Sequence, residues 1–252
     1  MTTNHQNKPT EQELHNIKAA LTKLWQLDHN RLEPGRDYEI NLPIFHDDHH
    51  GHDGHKEHGL RLFASVDPEV FKRPTFRAFW AILDNYIPQT GIPEVVDEEE
   101  LRENRTFIRE SMKTAPMQYV FHYLVTRGII KNNQDEFQKS LNKIWFDMYR
   151  REGLKADSSA FEHVFLGEIR EGHALVPIRF TSQGAPKKFS TSFIGTSPEF
   201  EFALYSLLFL LEREDTEFVV HDIRVNIKVY PLKQDGVRRI GSGFPEIHGY
   251  VA

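Results

Sequence analysis

Ser197-Pro198-Glu199-Phe200-Glu201-Phe202-Ala203-Leu204-Tyr205-Ser206-Leu207-Leu208-Phe209-Leu210-Leu211 decides the fold class. Serine before proline reads as a helix start, because the hydroxyl can accept a first-turn amide and proline lacks the amide that would go unpaired. Glu199 to Leu211 is apolar around much of its circumference, so this helix must be packed against a sheet. Segments on both sides of it supply the strands. Val164 to Glu168, Leu175 to Phe180, Ser192 to Gly195, Phe218 to Val220 and Val225 to Tyr230 are rich in β-branched and aromatic residues that alternate with polar ones.

Toward the N-terminus the period becomes helical. Leu14, Ile17, Leu21, Leu24 and Trp25 recur at helix spacing, as do Met117, Val120, Phe121, Leu124 and Val125, and Phe137, Leu141, Ile144, Trp145 and Met148. Asp67-Pro68 supplies a cap and a first-turn proline, Thr75 to Tyr86 continues as an apolar-rich helix, and the highly charged Glu98 to Lys113 reads as a solvent-facing one. The expected fold class is α+β. A helical N-terminal region, residues 1–152, precedes a C-terminal antiparallel β-sheet region with packed helices, residues 158–252. Gly153 to Ser159 is the polar connection, and there is no internal repeat.

Composition narrows the partners. The chain has 252 residues, 39% hydrophobic and 27% charged, which is ordinary for a globular protein. Its 37 acidic and 31 basic side chains leave a formal charge of −6, so a polyanion would have to be held in a local basic groove. No cysteine is present, which excludes disulfide partners and thiolate metal sites. Met1-Thr2-Thr3-Asn4-His5-Gln6 has no signal-peptide core, and Ala203 to Leu211 falls far short of the ~18 apolar residues of a membrane span. The expectation is a cytoplasmic protein with no membrane partner.

His46 to His58 is a low-complexity tract with six of the 14 histidines. His49, His50, His52 and His55 are donors of the type that chelates divalent transition metals. Its glycines and mixed spacing fix no single geometry, so a solvated loop that binds metal only incidentally stays open beside a metal site.

The second half holds a set of residues suited to cleaving RNA without a metal. His163 lies in the strand-like Phe161-Glu162-His163-Val164-Phe165, and His173 follows Glu171-Gly172 in what reads as the adjoining turn. Lys187-Lys188 precedes Ser192-Phe193-Ile194, and Ser242 and Phe244 stand near the C-terminus. Cleavage needs one group to take the 2′-hydroxyl proton, another to protonate the leaving 5′-oxygen and a cation for the phosphoryl oxygens. Imidazole suits both proton roles because it titrates near neutrality. An aromatic ring and a hydroxyl can hold a base. By residue type alone, a strand histidine is more often structural than catalytic, and a lysine pair before a strand is a common solvated feature.

Longer motifs decide between them. Phe161-Glu162-His163-Val164-Phe165-Leu166-Gly167-Glu168 and Phe193-Ile194-Gly195-Thr196-Ser197-Pro198-Glu199-Phe200-Glu201 closely resemble the two signature stretches of the EndoU (XendoU-like) family of uridylate-specific endoribonucleases. Leu27-Asp28-His29-Asn30-Arg31-Leu32-Glu33-Pro34-Gly35 is similar to that family's opening helix and turn. Leu83-Asp84-Asn85-Tyr86, Lys113-Thr114-Ala115-Pro116-Met117 and Ile144-Trp145-Phe146-Asp147 are similar to its helical region. The likeness runs from about residue 11 to 248.

The resemblance implies cleavage of single-stranded RNA on the 3′ side of uridylates, with 2′,3′-cyclic phosphate ends and often with Mn2+ stimulation. It implies a site of two histidines and a lysine. His163 would be the general acid, and Lys187, six residues before Phe193, the lysine. Lys188 takes that place if the turn is slipped by one, and otherwise joins Ser242 and Phe244 in binding substrate. The family more often has tyrosine where Phe244 stands, so the stacking face is kept and a phenol hydrogen bond is lost.

The departure concerns the second histidine. The family carries it in a Gly-Phe-His-Asn-Trp segment, whereas Gly172-His173-Ala174-Leu175-Val176 is about three residues shorter. Either His173 reaches the site from a shortened hairpin as the general base, or Leu175 occupies the histidine's place. In the second case catalysis falls by about 10²–10⁴-fold, or a metal-bound hydroxide takes over. The principal expectation is a uridylate-preferring endoribonuclease acting through His163, His173 and Lys187. The alternatives are an RNA-binding protein of the same fold with lost or reduced catalysis, a metal-handling protein built around residues 46–58, and a toxin-like nuclease.

Overall fold

A computed structural model describes residues 7–41, 62–83, 96–150, 156–166, 168–170, 173–175 and 192–251 of the chain. Thr10 opens the first helix, α1 (Glu11–His15), with a reciprocal cap to Glu13. Asn16 ends α1 and starts α2 (Ile17–Gln26), because its side chain accepts from the amides of Lys18 and Ala19. The single helix expected over Leu14 to Trp25 is therefore two, and the local cap outweighs the continuous apolar period. β1 (Tyr38–Ile40) pairs antiparallel with β2 (Phe63–Val66), a small ribbon within the otherwise helical first half. Asp67 caps a 3-10 turn, Pro68–Lys72, which leads into α3 (Pro74–Ile82).

α4 (Glu98–Met112) carries three glutamates in its first turn, where carboxylates meet the positive end of the helix dipole. It is not wholly solvent-facing: Asn104, Phe107, Ile108, Ser111 and Met112 are buried, so its sparse apolar residues all fall on one core-facing stripe. α5 (Ala115–Thr126) and α6 (Gln134–Trp145) follow at the expected places. Among the described residues, no helix is long and apolar enough to cross a membrane.

Among the described residues, the second half departs from the expected strands in two places. Val164 to Glu168 is a π-helical turn over Glu162–Leu166, followed by β3 (Glu168–Arg170). β3 pairs antiparallel with β4 (His173–Leu175), and the remainder of the expected strand to Phe180 lies outside the described residues. Ser192 to Gly195 is bent rather than extended: Gly195 has φ 86°, and its carbonyl accepts from Leu32 N at 2.7 Å instead of joining a ladder. A Cβ at Gly195 would come 2.8 Å from the Tyr38 hydroxyl, so glycine is required there on both counts.

α7 (Pro198–Leu210) forms as expected, with Ser197 accepting from Phe200 N. Every residue from Phe202 to Phe209 is buried, and the helix packs on α2, α3 and α5 as well as on the sheet. That sheet runs β5 (Asp215–Val220), β6 (Ile223–Gln234), β7 (Val237–Tyr250), antiparallel throughout. Asp235 and Gly236, both with positive φ, make the tight β6–β7 turn. The 14-residue β7 was not anticipated as a strand, because its glycines, proline and arginines hide the alternation. The architecture is thus α+β. One group of buried side chains draws Leu24, Phe107 and Trp145 from the first half together with Phe161, Phe202 and Ile227 from the second. Across that join, Trp145 Nε1 donates to Ser206 Oγ at 2.8 Å, both fully buried.

The two stretches flanking Gly195 clasp each other. Ser197 N donates to Asp28 Oδ2 at 3.2 Å, and Asn30 Nδ2 donates to Glu199 Oε1 at 2.5 Å. Beside them, Thr196 Oγ1 and the Tyr205 hydroxyl donate to the two oxygens of Glu201, at 2.7 and 3.2 Å. Burial raises the carboxyls of Asp28 and Glu199, opposed by these hydrogen bonds and, at Asp28, by Arg31. Burial likewise pushes Glu201 up to about 7, against the hydrogen bonds from Thr196 and Tyr205 and with help from the Asp28 charge.

A carboxyl held higher in the folded chain than in the unfolded one keeps its proton longer when folded. Its contribution to stability is therefore full below the unfolded value of 4.5 and declines as pH rises toward about 7. Glu201→Gln is expected to flatten the fall in melting temperature between pH 5 and pH 8, an effect of up to about 3 kcal/mol. An unchanged pH profile in that variant would show that Glu201 ionises normally.

Candidate active site

Glu162 fixes the turn that carries His163. Its Oε2 accepts from Ser159 N at 2.6 Å while its own amide donates to Ser159 Oγ at 3.2 Å. This reciprocal cap is a structural use of a buried carboxylate. Phe161 and Phe165 then enter the core side by side, ring centroids 4.9 Å apart. Phe161 stacks on Phe146 at 4.8 Å, and Phe165 lies 5.4 Å from Trp145. In a strand, residues 161, 163 and 165 would share one face and drive the imidazole into that core. The π-helical winding keeps the two rings together, and His163 between them is half-buried. The histidine expected in a strand is thus borne by a turn. Such windings often occur at functional sites.

That turn packs against β7. Ser242 and Phe244 stand two residues apart on β7, opposite Tyr230 and Lys228 of β6, and so on one face of the sheet. The Phe244 and Tyr230 ring centroids are 6.3 Å apart, and Tyr230 is 41% exposed. Between them, Gly243 faces inward onto the buried Tyr205 ring, where a Cβ would come within 3.3 Å of two ring carbons. Tyr205 in turn lies 6.4 Å from Phe165. Aromatic contact therefore couples the histidine's turn to the strand of Ser242 and Phe244.

The lysine on this face is engaged. Lys228 Nζ is paired with Asp215 and lies 3.7 Å from Glu246 Oε2, and its ammonium is held above the usual lysine range by Asp215. His173 opens β4 opposite Arg170, at a strand end rather than in the turn, and Leu175 closes the same strand opposite Glu168. Lys187 and Lys188 lie outside the described residues, as do His49, His50, His52 and His55. Among the described residues, no group of three or more histidines, aspartates or glutamates is arranged to hold a metal ion. Tyr230 escaped the sequence reading, since no motif marks it. Only the β6–β7 register sets it opposite Ser242.

Comparison with known proteins places this geometry. The chain matches the family model described as Endoribonuclease XendoU over residues 16–176 and 171–245. It is 35% identical to uridylate-specific endoribonuclease B of Danio rerio, covering 87% of this chain and 93% of that protein. It is 31% identical to poly(U)-specific endoribonuclease-A of Xenopus laevis, covering 92% and 93%. The solved structure of XendoU, described as a splicing independent snoRNA processing endoribonuclease, superposes with a TM-score of 0.71 at 30% identity. The match covers 93% of this chain and 97% of that one.

Gly243→Ala tests the contact beneath the face. The added methyl would press on the buried Tyr205 ring, so a loss of about 1–3 kcal/mol in denaturant unfolding is expected. Wild-type stability in that variant would mean that β7 does not depend on the close approach to Tyr205.

Proposed function

This chain belongs to the XendoU endoribonuclease family, and from that premise we propose that it cleaves single-stranded RNA at uridylates and leaves 2′,3′-cyclic phosphate ends. The 2′-hydroxyl oxygen attacks the adjacent phosphorus as its proton passes to a general base, and the bond to the 5′-oxygen breaks as a general acid protonates it. In this assignment His163 is the acid, His173 the base, and Lys187 the cation that stabilises the phosphoryl oxygens. Ser242 and Phe244 receive the uracil and ribose, and Lys188 joins them in binding substrate. Tyr230, opposite Ser242, returns the phenol that Phe244 lacks.

The observation that carries this reading is the packing of the His163 turn against β7, which brings a proton-transfer group beside the strand of the base-binding pair. The commitment of Lys228 to Asp215 and Glu246 also favours a separate phosphate-binding lysine. Manganese stimulation belongs to the same proposal. His49, His50, His52 and His55 have the donor chemistry to hold the ion, and no step of the cleavage is routed through it.

Incubating the purified chain with a uridine-containing oligonucleotide, with and without manganese, tests the proposal directly. Cyclic-phosphate ends 3′ of uridine are expected. His163→Ala, His173→Ala and Lys187→Ala should each lose about 10²–10⁴-fold in rate. Full activity in His163→Ala would undo the assignment, and binding without cleavage in the wild type would establish the RNA-binding alternative. Tyr230→Phe is expected to lower the preference for uridine over cytidine about 2- to 10-fold, the worth of one hydrogen bond.

A further inference from the structure

Trp80 is 59% exposed and Phe71 38%, and their ring centroids lie 5.0 Å apart with planes at 65°. An edge-to-face contact of this kind occupies at most one face of each ring, so aromatic surface is left facing solvent. The pair is not on a loose loop: Phe71 belongs to the 3-10 turn and Trp80 to α3, and these two elements pack on each other.

Basic side chains flank the rings. From Phe71 to Leu83 the chain carries Lys72, Arg73 and Arg77 and no carboxylate, although its overall charge is −6. Arg73 is held by Asp37 at 2.8 Å, and Lys72 by Glu69 at 2.5 Å. Arg77 is exposed and stands three residues before Trp80 on α3, where side chains are neighbours on a helix surface. An open aromatic face beside a guanidinium is the arrangement that holds a nucleotide, with the base on the ring and the phosphate on the cation. An apolar protein surface has no complement for the Arg77 guanidinium.

The position relative to the proposed site is set by the residue next to Trp80. The Phe79 ring lies 5.5 Å from Phe161 and 5.7 Å from Phe165, the two rings that anchor the His163 turn. The helix that bears Trp80 thus packs, through its neighbour Phe79, on the anchors of that turn. We infer that Phe71, Trp80 and Arg77 form a stacking subsite for an unpaired base of the RNA substrate, a few nucleotides from the cleaved bond. The subsite rests on the endoribonuclease reading for its substrate and on its own geometry for its place.

The test compares a uridylyl dinucleotide with a fluorescent decauridylate. Dissociation constants are measured by anisotropy in a His163→Ala background, and KM values in the active chain. Trp80→Ala is expected to weaken the decamer about tenfold more than the dinucleotide, the order of magnitude of one base–aromatic stack. Trp80→Phe should restore most of that difference, and Arg77→Gln should reduce the salt dependence of decamer binding by about one charge. Equal losses for both lengths, or none, overturn the subsite. So does a variant that alters only self-association, which would make the patch a contact with a second copy. Binding at Trp80 without cleavage by the wild type would sink the catalytic reading and leave the subsite standing. Cleavage of the decamer indifferent to Trp80→Ala would do the reverse.

Discussion

Three contacts in sequence, Asp28 with Ser197, Asn30 with Glu199 and Leu32 with Gly195, tie the end of α2 to the start of α7. Everything else is arranged around the helix they position. Burying carboxyls is costly, and hydrogen bonds made across such a join return only part of what desolvation removes. The clasp is therefore better understood as fixing where α7 begins than as a large net source of stability. Removing one partner would leave a buried carboxyl without compensation, which is the severe case.

Once its start is fixed, α7 organises both halves of the molecule. Its buried surface faces helices on one side and β6 on the other, and Ser206 meets the Trp145 indole where they join. Tyr205 underlies Gly243, and beyond it Phe165 closes onto Trp145 and Phe161. His163, Ser242 and Phe244 are consequently held by elements packed on one continuous aromatic core. Pre-organisation of that kind is what a site needs if small displacements are to cost rate.

The signature stretches have distinct physical roles. Leu27 to Gly35 and Phe193 to Glu201, far apart in the chain, are the two sides of the clasp. Glu162 to Leu166 is the turn that brings Phe161 and Phe165 together against the core, with the histidine between them. Both explain why these residues had to be of these types, and neither explanation is visible in a linear pattern.

Local chemistry alone determined a good deal. The apolar circumference of Glu199 to Leu211, the proline and serine at its start, and the helical period of the first half depend on neighbours in sequence, and all appear in the fold. What tertiary structure decided was every choice that competes with a local preference. Phe161 to Phe165 reads as a strand because its apolar residues sit two apart, yet core packing of rings four apart winds it into a turn. Ser192 to Gly195 reads as a strand, but its backbone finds a partner in Leu32. β7 hides behind its glycines and Pro245, because what holds it is the ladder to β6. Tyr230 acquires its place opposite Ser242 from register, which depends on a pairing partner that the residues of a single segment do not contain.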